Sequence, residues 1–269
     1  MASWSVVHAM HIWRLAQSRG KATWAMQQAR WTPLRVSAML CRLLKDLTSV
    51  TSLDFDYMRN AMVDRQLRTV GVNDPAVVAA LRAVPREAFV PQSLQALAYV
   101  DEDIELLAGR YLSQPMVTGR LLTYAELVAG EKVLVVGAGT GYAAVLLDKL
   151  KAQVVALEEE PALAAQMRQA LAKVGAKNVT VVEGALAQGC AAHAPYDLLF
   201  CDMAVEELPH GLLLQMAEGA RVVAPVINGA GICQLSVGRV SAGRVAYLHM
   251  ADQSVPALAA FARPPVFQF

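Results

Sequence analysis

The sequence lacks any uninterrupted apolar run of the ~18 residues that a membrane-spanning helix needs, although 55% of its 269 residues are hydrophobic and only 17% are charged. It has four cysteines, none of them in a CxxC pair. We therefore expect no metal site, no disulfide framework and no stable membrane insertion. The composition predicts a globular chain in a reducing compartment, the cytoplasm.

Acidic residues are almost absent from the first fifty positions, which hold seven Lys or Arg, the single acid Asp46 and all four tryptophans. No signal-peptide pattern is present, so we do not expect secretion. The composition suits an organelle transit peptide or an amphipathic helix at a membrane surface. The alternative is an extension from a start codon assigned too early, since Met39, Met58 and Met62 follow. We expect this alternative, with residues 1–53 as a poorly ordered basic extension and residues 54–269 as the functional domain.

The rest of the chain, with 17 basic and 22 acidic residues, has no basic stripe interleaved with aromatic residues. Nucleic-acid binding is therefore not expected. The pattern does not indicate an oligomeric state.

Residues 54–110 are predicted to be mainly helical, because apolar residues recur there at steps of three and four. Asp74 and Pro75 resemble a helix N-cap followed by proline at the first helical position. The periodic apolar residues of the first predicted helix are Met58, Met62, Val63, Leu67 and Val70.

Residues 111–269 show a different pattern, in which short apolar runs alternate with helical stretches. The predicted strands are 131–136, 152–157, 178–182, 197–201 and 221–226, and the clearest predicted helices are 141–150 and 161–174. Buried strands that alternate with helices predict an α/β fold with a Rossmann-like, doubly wound, mostly parallel sheet. Residues 232–237 and 244–249, joined by 238–243, predict an antiparallel hairpin at the sheet edge.

A glycine-rich turn follows the first of these strands, with Gly137, Gly139 and Gly141 at alternate positions before a helix. Such a turn lets a ligand approach the backbone and presents the N–H groups of a helix N-terminus. The spacing is GxGxG, whereas dinucleotide sites usually have GxGxxG. Glu158 ends the next strand, where a carboxylate can accept hydrogen bonds from ribose hydroxyls. The alternatives are a structural turn beside a surface glutamate, and a nicotinamide or flavin site.

Several segments resemble the protein-L-isoaspartate O-methyltransferase family over residues 54 to 237. The glycine loop GAGTGY and the following VVALEEE resemble the family's first two cofactor motifs. The other matching segments are MVDRQL at 62–67, VPREAFVP at 84–91, AYVD at 98–101, LSQPM at 112–116 and APYD at 194–197.

The resemblance implies a sheet of the S-adenosylmethionine-dependent methyltransferase type and a protein-repair activity. S-adenosylmethionine would be the cofactor, and isoaspartyl residues of damaged proteins or peptides would be the substrate. It implies that Ser113 is catalytic, and the alternative for this serine is a helix N-cap. It also implies a set of cofactor-binding residues, namely Gly137, Gly139, Gly141, Glu158 and Glu183.

The chain departs from the family pattern at three places near these residues. Val135 stands where relatives carry an acid, and Glu183 stands where they have the aspartate of GDG. The segment at 109–113 is GRYLS where relatives tend to have GQTIS, so Arg110 is either a partner for a substrate carboxylate or a solvated loop residue. These departures leave two alternatives open, a methyltransferase with a different acceptor and a catalytically silent cofactor-binding homologue.

Overall fold

Residues 53–263 are described by a computed structural model, whose main element is a seven-stranded sheet. In chain order the helices are α1 (Phe55–Met62), α2 (Pro75–Ala83), α3 (Pro115–Ala125), α4 (Tyr142–Lys149), α5 (Pro161–Val174) and α6 (His210–Leu213). The strands are β1 (Ile104–Leu107), β2 (Arg110–Leu112), β3 (Lys132–Val136), β4 (Gln153–Glu158), β5 (Val179–Glu183), β6 (Tyr196–Phe200), β7 (Met216–Ile227), β8 (Cys233–Ser241) and β9 (Arg244–Asp252). The expected extension at 1–53 lies outside the described residues, apart from Leu53.

The helical front part begins as the sequence predicts. Asp54 caps α1 by accepting the N–H of Tyr57, and the chain continues from α1 through a π-helical and a 3₁₀ turn to Val70. The Asp74 carboxylate accepts the N–H groups of Ala76 and Val77 and so caps α2, whose first residue is proline. The predicted start of this second helix is confirmed.

A two-stranded antiparallel sheet, β1 with β2, is the feature of this region that the periodicity did not predict. Residues 54–110 were expected to be mainly helical, and the expected division at 110/111 falls inside β2. The strands have four and three residues, too few for a period-two alternation to be distinguished from loop sequence.

The seven-stranded sheet has the order β5-β4-β3-β6-β7-β8-β9, and the first five strands are parallel to their neighbours. The chain adds β4 and β5 on one side of β3 and then returns to place β6 on its other side. The predicted mostly parallel, doubly wound sheet is confirmed. The order reverses between β3 and β6, and in open α/β sheets ligands bind beside the carboxyl ends of the strands at such a point.

The antiparallel edge is also present, but its turn lies elsewhere. The predicted connection at 238–243 was wrong, because β8 continues through Gly238 to Ser241 and the turn consists of Ala242 and Gly243, both at positive φ. Gly238 is a strand residue, since a Cβ there would lie 2.3 Å from Val245 Cγ2. Glycine marks a close side-chain approach at this position, which the sequence pattern cannot distinguish from a turn.

Apolar side chains fill both faces of the sheet. The β3 residues alternate between the two faces, so that Val133 and Val135 belong to one core cluster while Leu134 and Val136 belong to the other. The first cluster includes residues of α2 to α5 and the second includes Leu212 and Leu213 of α6, so helical residues pack on both faces, as the continuous apolar runs indicate. None of the helices between residues 53 and 263 is long and apolar enough to cross a membrane.

Candidate active site

The glycine loop lies at the carboxyl end of β3, beside the point where the strand order reverses. All three of its glycines have positive φ, at +68° for Gly137, +57° for Gly139 and +94° for Gly141. The N–H groups of Gly137 and Ala138 both donate to the Leu157 carbonyl of β4, at 3.0 and 3.1 Å. These bonds fix the turn against the neighbouring strand and leave α4 to begin immediately after Gly141.

Neighbouring side chains pack closely against these glycines. A Cβ on Gly137 would lie 2.9 Å from Leu258 Cδ2, and one on Gly141 would lie 2.6 Å from Met167 Cγ. A Cβ on Gly139 would lie 3.3 Å from Leu106 Cδ1 of β1. The loop therefore needs glycine both for its backbone conformation and for its close packing.

Glu158 ends β4 with its side chain fully buried. Its Oε2 accepts the N–H of Gly139 at 2.7 Å, and its Oε1 accepts the N–H of Glu160 at 3.0 Å. The structure thus brings Glu158 and the glycine loop together, as the sequence predicts. A buried carboxylate at a strand end beside a glycine turn is suited to the sugar of a nucleoside.

Arg110 occupies a different position from either of those considered for it. Its guanidinium makes a bidentate ion pair with Glu158, with Nη1–Oε1 at 2.6 Å and Nη2–Oε2 at 2.5 Å. Arg110 is only 6% exposed, so the expectation of a solvated loop arginine was wrong. In this structure its partner is the Glu158 carboxylate, because β2 places Arg110 over the end of β4.

Ser113 lies beside the residues that follow β6, on the other side of the point between β3 and β6 where the strand order reverses. It is buried, and its Oγ donates a hydrogen bond to the backbone carbonyl of Asp202. The Asp202 carboxylate accepts the hydroxyl of Thr118 at 3.1 Å. Burial raises the pKa of Asp202, and the Thr118 hydroxyl and the charge of Arg86 offset only part of this effect. Ser113 is not the N-cap of α3, since Gln114 holds that position.

Arg86 contacts both the Ser113 backbone and α4, although the sequence pattern did not predict a role for it. Its fully buried guanidinium donates to the carbonyls of Ala98 and Ser113, at 2.7 and 2.6 Å. It also packs on the ring of Tyr142, the first residue of α4, at 4.8 Å from the ring centroid. Burial lowers the pKa of Arg86 and raises that of Tyr142. The signal in the sequence was the arginine of VPREAFVP, one of two charged residues in an otherwise apolar segment.

Glu183 ends β5 and lies directly beside Glu158 in the parallel register. It is exposed, and its Oε1 pairs with Arg168 Nη1 at 2.5 Å. The structure therefore places Glu183 at the same sheet edge as the glycine loop. Val135 is buried within β3, between Ala156 and Phe200 on the neighbouring strands.

Comparison with known proteins shows to which family the chain belongs. The family model described as protein-L-isoaspartate(D-aspartate) O-methyltransferase matches residues 58–246. The chain belongs to this family. The match includes every residue expected at the site, from Ser113 to Glu183, together with Arg86 and Asp202.

Curated relatives of the family are similar over most of their own length. The protein-L-isoaspartate O-methyltransferase of Koribacter versatilis is 40% identical over 187 residues, which is 70% of this chain and 84% of that one. The protein of the same name from Methanoculleus marisnigri is 39% identical over 176 residues, which is 65% of this chain and 79% of that one. That from a Picosynechococcus species is 41% identical over 169 residues, covering 63% and 76%.

Solved structures of the family share the fold. A protein-L-isoaspartate O-methyltransferase aligns with a TM-score of 0.65 at 24% identity, covering 75% of this chain and 66% of that one. A putative member from Plasmodium falciparum, solved in complex with S-adenosyl-L-homocysteine, aligns with a TM-score of 0.64 at 18% identity, covering 75% and 98%. Both support the doubly wound architecture of the isoaspartyl methyltransferases.

Proposed function

We propose that this chain transfers a methyl group from S-adenosylmethionine to the free carboxylate of isoaspartyl residues in damaged proteins and peptides. The observation that carries the proposal is the family match over residues 58–246, which contains the glycine loop, Glu158 and Ser113 in one chain segment. The match favours this acceptor over a different one and over a catalytically silent homologue.

The cofactor site of the proposal consists of the glycine loop and the two acids at the adjoining strand ends. Gly137, Gly139 and Gly141 form the cradle, Glu158 would hold the ribose and Glu183 would hold the adenine side. The residues suit the group, because the three glycines at positive φ place no side chains of their own in the turn and Glu158 is a buried carboxylate at the strand end. When bound, S-adenosylmethionine supplies an activated methyl group on a sulfonium centre.

The protein's contribution to this reaction is alignment and the exclusion of water. A carboxyl acceptor titrates near ~4 and is ionised at neutral pH, so no general base is required. Positioning alone is worth ~7–11 kcal/mol in favourable cases. Ser113 is proposed to hold the acceptor carboxylate through its hydroxyl, while Arg86 fixes the Ser113 backbone relative to Tyr142 and the glycine loop.

The remaining expectations are kept as parts of the proposal. Residues 1–53 are proposed to be an extension to a methyltransferase domain at 54–269. The proposed compartment is the cytoplasm, which is supported by Cys190, Cys201 and Cys233 being free thiols. The proposed partners are isoaspartyl proteins and peptides, with no role for nucleic acid.

The test is a methylation assay with S-adenosylmethionine carrying a labelled methyl group. The acceptors are an isoaspartyl peptide and the same peptide with an ordinary aspartyl residue. We expect label in the first peptide alone, in a base-labile form as an ester requires. No incorporation at high enzyme concentration, or equal labelling of both peptides, would count against the proposed acceptor.

A further inference from the structure

The Glu158 carboxylate has no hydrogen-bonding capacity left in this structure. A carboxylate has about four lone-pair sites, and four N–H donors already reach this one. Two donors are backbone groups, Gly139 at 2.7 Å and Glu160 at 3.0 Å, and the other two are Arg110 Nη1 at 2.6 Å and Nη2 at 2.5 Å.

The two kinds of donor differ in how readily they can leave. The backbone donors belong to the glycine turn and to the residue before α5, so the fold fixes them. Arg110 belongs to the two-stranded sheet β1–β2, which packs over the loop through Leu106. A ribose hydroxyl that binds Glu158 must therefore take the place of Arg110.

We propose that Arg110 lowers the affinity of the cofactor site, because it competes with the ribose hydroxyls for Glu158 and must turn away before the cofactor binds. The inference rests on the proposed function, because it assumes a nucleoside cofactor at Glu158. Arg110 belongs to the segment GRYLS and stands where relatives tend to have glutamine. The proposal therefore gives this departure from the family pattern a direct effect on cofactor affinity.

The structure also contains a second partner for the displaced guanidinium. Glu159 Oε1 lies 3.6 Å from Arg110 Nη1, and its side chain is 34% exposed where that of Glu158 is fully buried. Arg110 can therefore exchange one carboxylate for the next without losing all its charge pairing. Its Nε is buried without a hydrogen-bond partner, so the present position leaves one donor unsatisfied, which lowers the cost of leaving it.

Calorimetric titration of the full chain with S-adenosylhomocysteine tests the competition without any catalytic step. The variant is Arg110→Gln, which cannot make a bidentate charged pair. We expect its dissociation constant to fall on the order of tenfold, equivalent to about 1.4 kcal/mol. The matched control is Arg82→Gln, which removes an ion pair with Asp64 outside the site and should leave the affinity unchanged. An affinity for Arg110→Gln that is equal to or weaker than wild type overturns the proposal.

Glu159→Gln tests the proposed exchange partner. We expect it to weaken binding severalfold in the wild-type background and to have no effect in the Arg110→Gln background, because the displaced guanidinium is then absent. Equal effects in both backgrounds would contradict the exchange.

The change Arg110→Gln leaves Glu158 buried without its cation and can therefore impair folding, so a further variant is needed. Arg110→Lys keeps a charge but not the bidentate geometry, and we expect an affinity between those of wild type and the glutamine variant. If wild type binds and neither variant binds more tightly, only the competition fails. If no form binds S-adenosylhomocysteine, the proposed function fails with it.

Discussion

At the scale of single residues, burial decides how each charged group of the site behaves. Glu158 and Arg110 are both buried and form a bidentate pair with each other. Removing one partner of such a pair commonly costs ~3–5 kcal/mol, because the other charge stays buried. Asp202 has no such cation in contact, and burial raises its pKa. The two carboxylates of the site therefore have different environments.

Ser113→Ala should separate catalysis from cofactor binding. A hydrogen bond to a charged group is worth about 1.5–3 kcal/mol, so kcat/KM for an isoaspartyl peptide should fall about ten- to a hundredfold. The affinity for S-adenosylhomocysteine should hardly change, because Ser113 contacts Asp202 and not the glycine loop. Steady-state kinetics and calorimetry measure the two effects.

The control for this change is Ser236→Ala. Ser236 is also fully buried, and its hydroxyl also donates to a backbone carbonyl, that of Gln234 at 2.9 Å, but it lies in β8. Equal losses of kcat/KM in the two variants would assign Ser113 a structural role only.

Asp202→Asn should stabilise the protein at pH 8. Because burial raises the folded-state pKa, ionised Asp202 destabilises the folded state above that pKa, and this cost disappears as pH falls toward the unfolded value of ~4. We expect the amide to raise the free energy of unfolding at pH 8, with a smaller gain at pH 5. Urea titrations at the two pH values measure it, and a loss of stability at pH 8 would contradict the assigned shift.

At the scale of elements, the glycine loop and Glu158 could be predicted because they form one continuous strand–turn–helix–strand segment. Their contact follows from neighbouring parallel strands, whose carboxyl ends meet at one edge. The contacts of Arg110 and Ser113 could not be predicted in this way. They join positions 48 and 89 residues apart in sequence, through short strands and loops without a periodic pattern.

Gly141→Ala tests how closely the loop is packed. Both Gly141 and Gly71 have φ of +94°, but a Cβ on Gly71 would meet nothing within 4 Å, whereas one on Gly141 would lie 2.6 Å from Met167. Both alanine variants should pay ~1–2 kcal/mol for the left-handed backbone. Gly141→Ala should lose a further ~1–3 kcal/mol from overpacking. Urea unfolding measures both, and equal losses would show that Met167 yields without cost.

At the scale of the whole molecule, the site is assembled from the carboxyl ends of the parallel strands, α4 and the β1–β2 pair. Composition and periodicity were sufficient for the doubly wound sheet, because continuous apolar runs reflect burial on both faces. The ends of β7 and β8 could not be predicted from the sequence. Both strands extend beyond their apolar runs, and backbone hydrogen bonds to neighbouring strands hold the additional residues. The role of Arg86 was missed because its side-chain contacts are tertiary.

Ligand binding to such an assembled site should stabilise the whole domain. At one hundred times its dissociation constant, S-adenosylhomocysteine should add about 2.7 kcal/mol. For a domain of this size that corresponds to about 5–10 °C in Tm. Differential scanning calorimetry measures the shift, with methionine alone as the control because it has no ribose for Glu158. A shift with methionine equal to that with S-adenosylhomocysteine would contradict the role of Glu158.

A crystal structure of the full chain grown with S-adenosylhomocysteine tests the central claim most directly, through the distance from the ribose oxygens to the Glu158 carboxylate. We predict ribose hydroxyls within hydrogen-bond distance of Glu158, the nucleoside against Gly137–Gly141, and the Arg110 guanidinium moved toward Glu159. A ligand bound elsewhere, with Arg110 still paired to Glu158, would contradict the account.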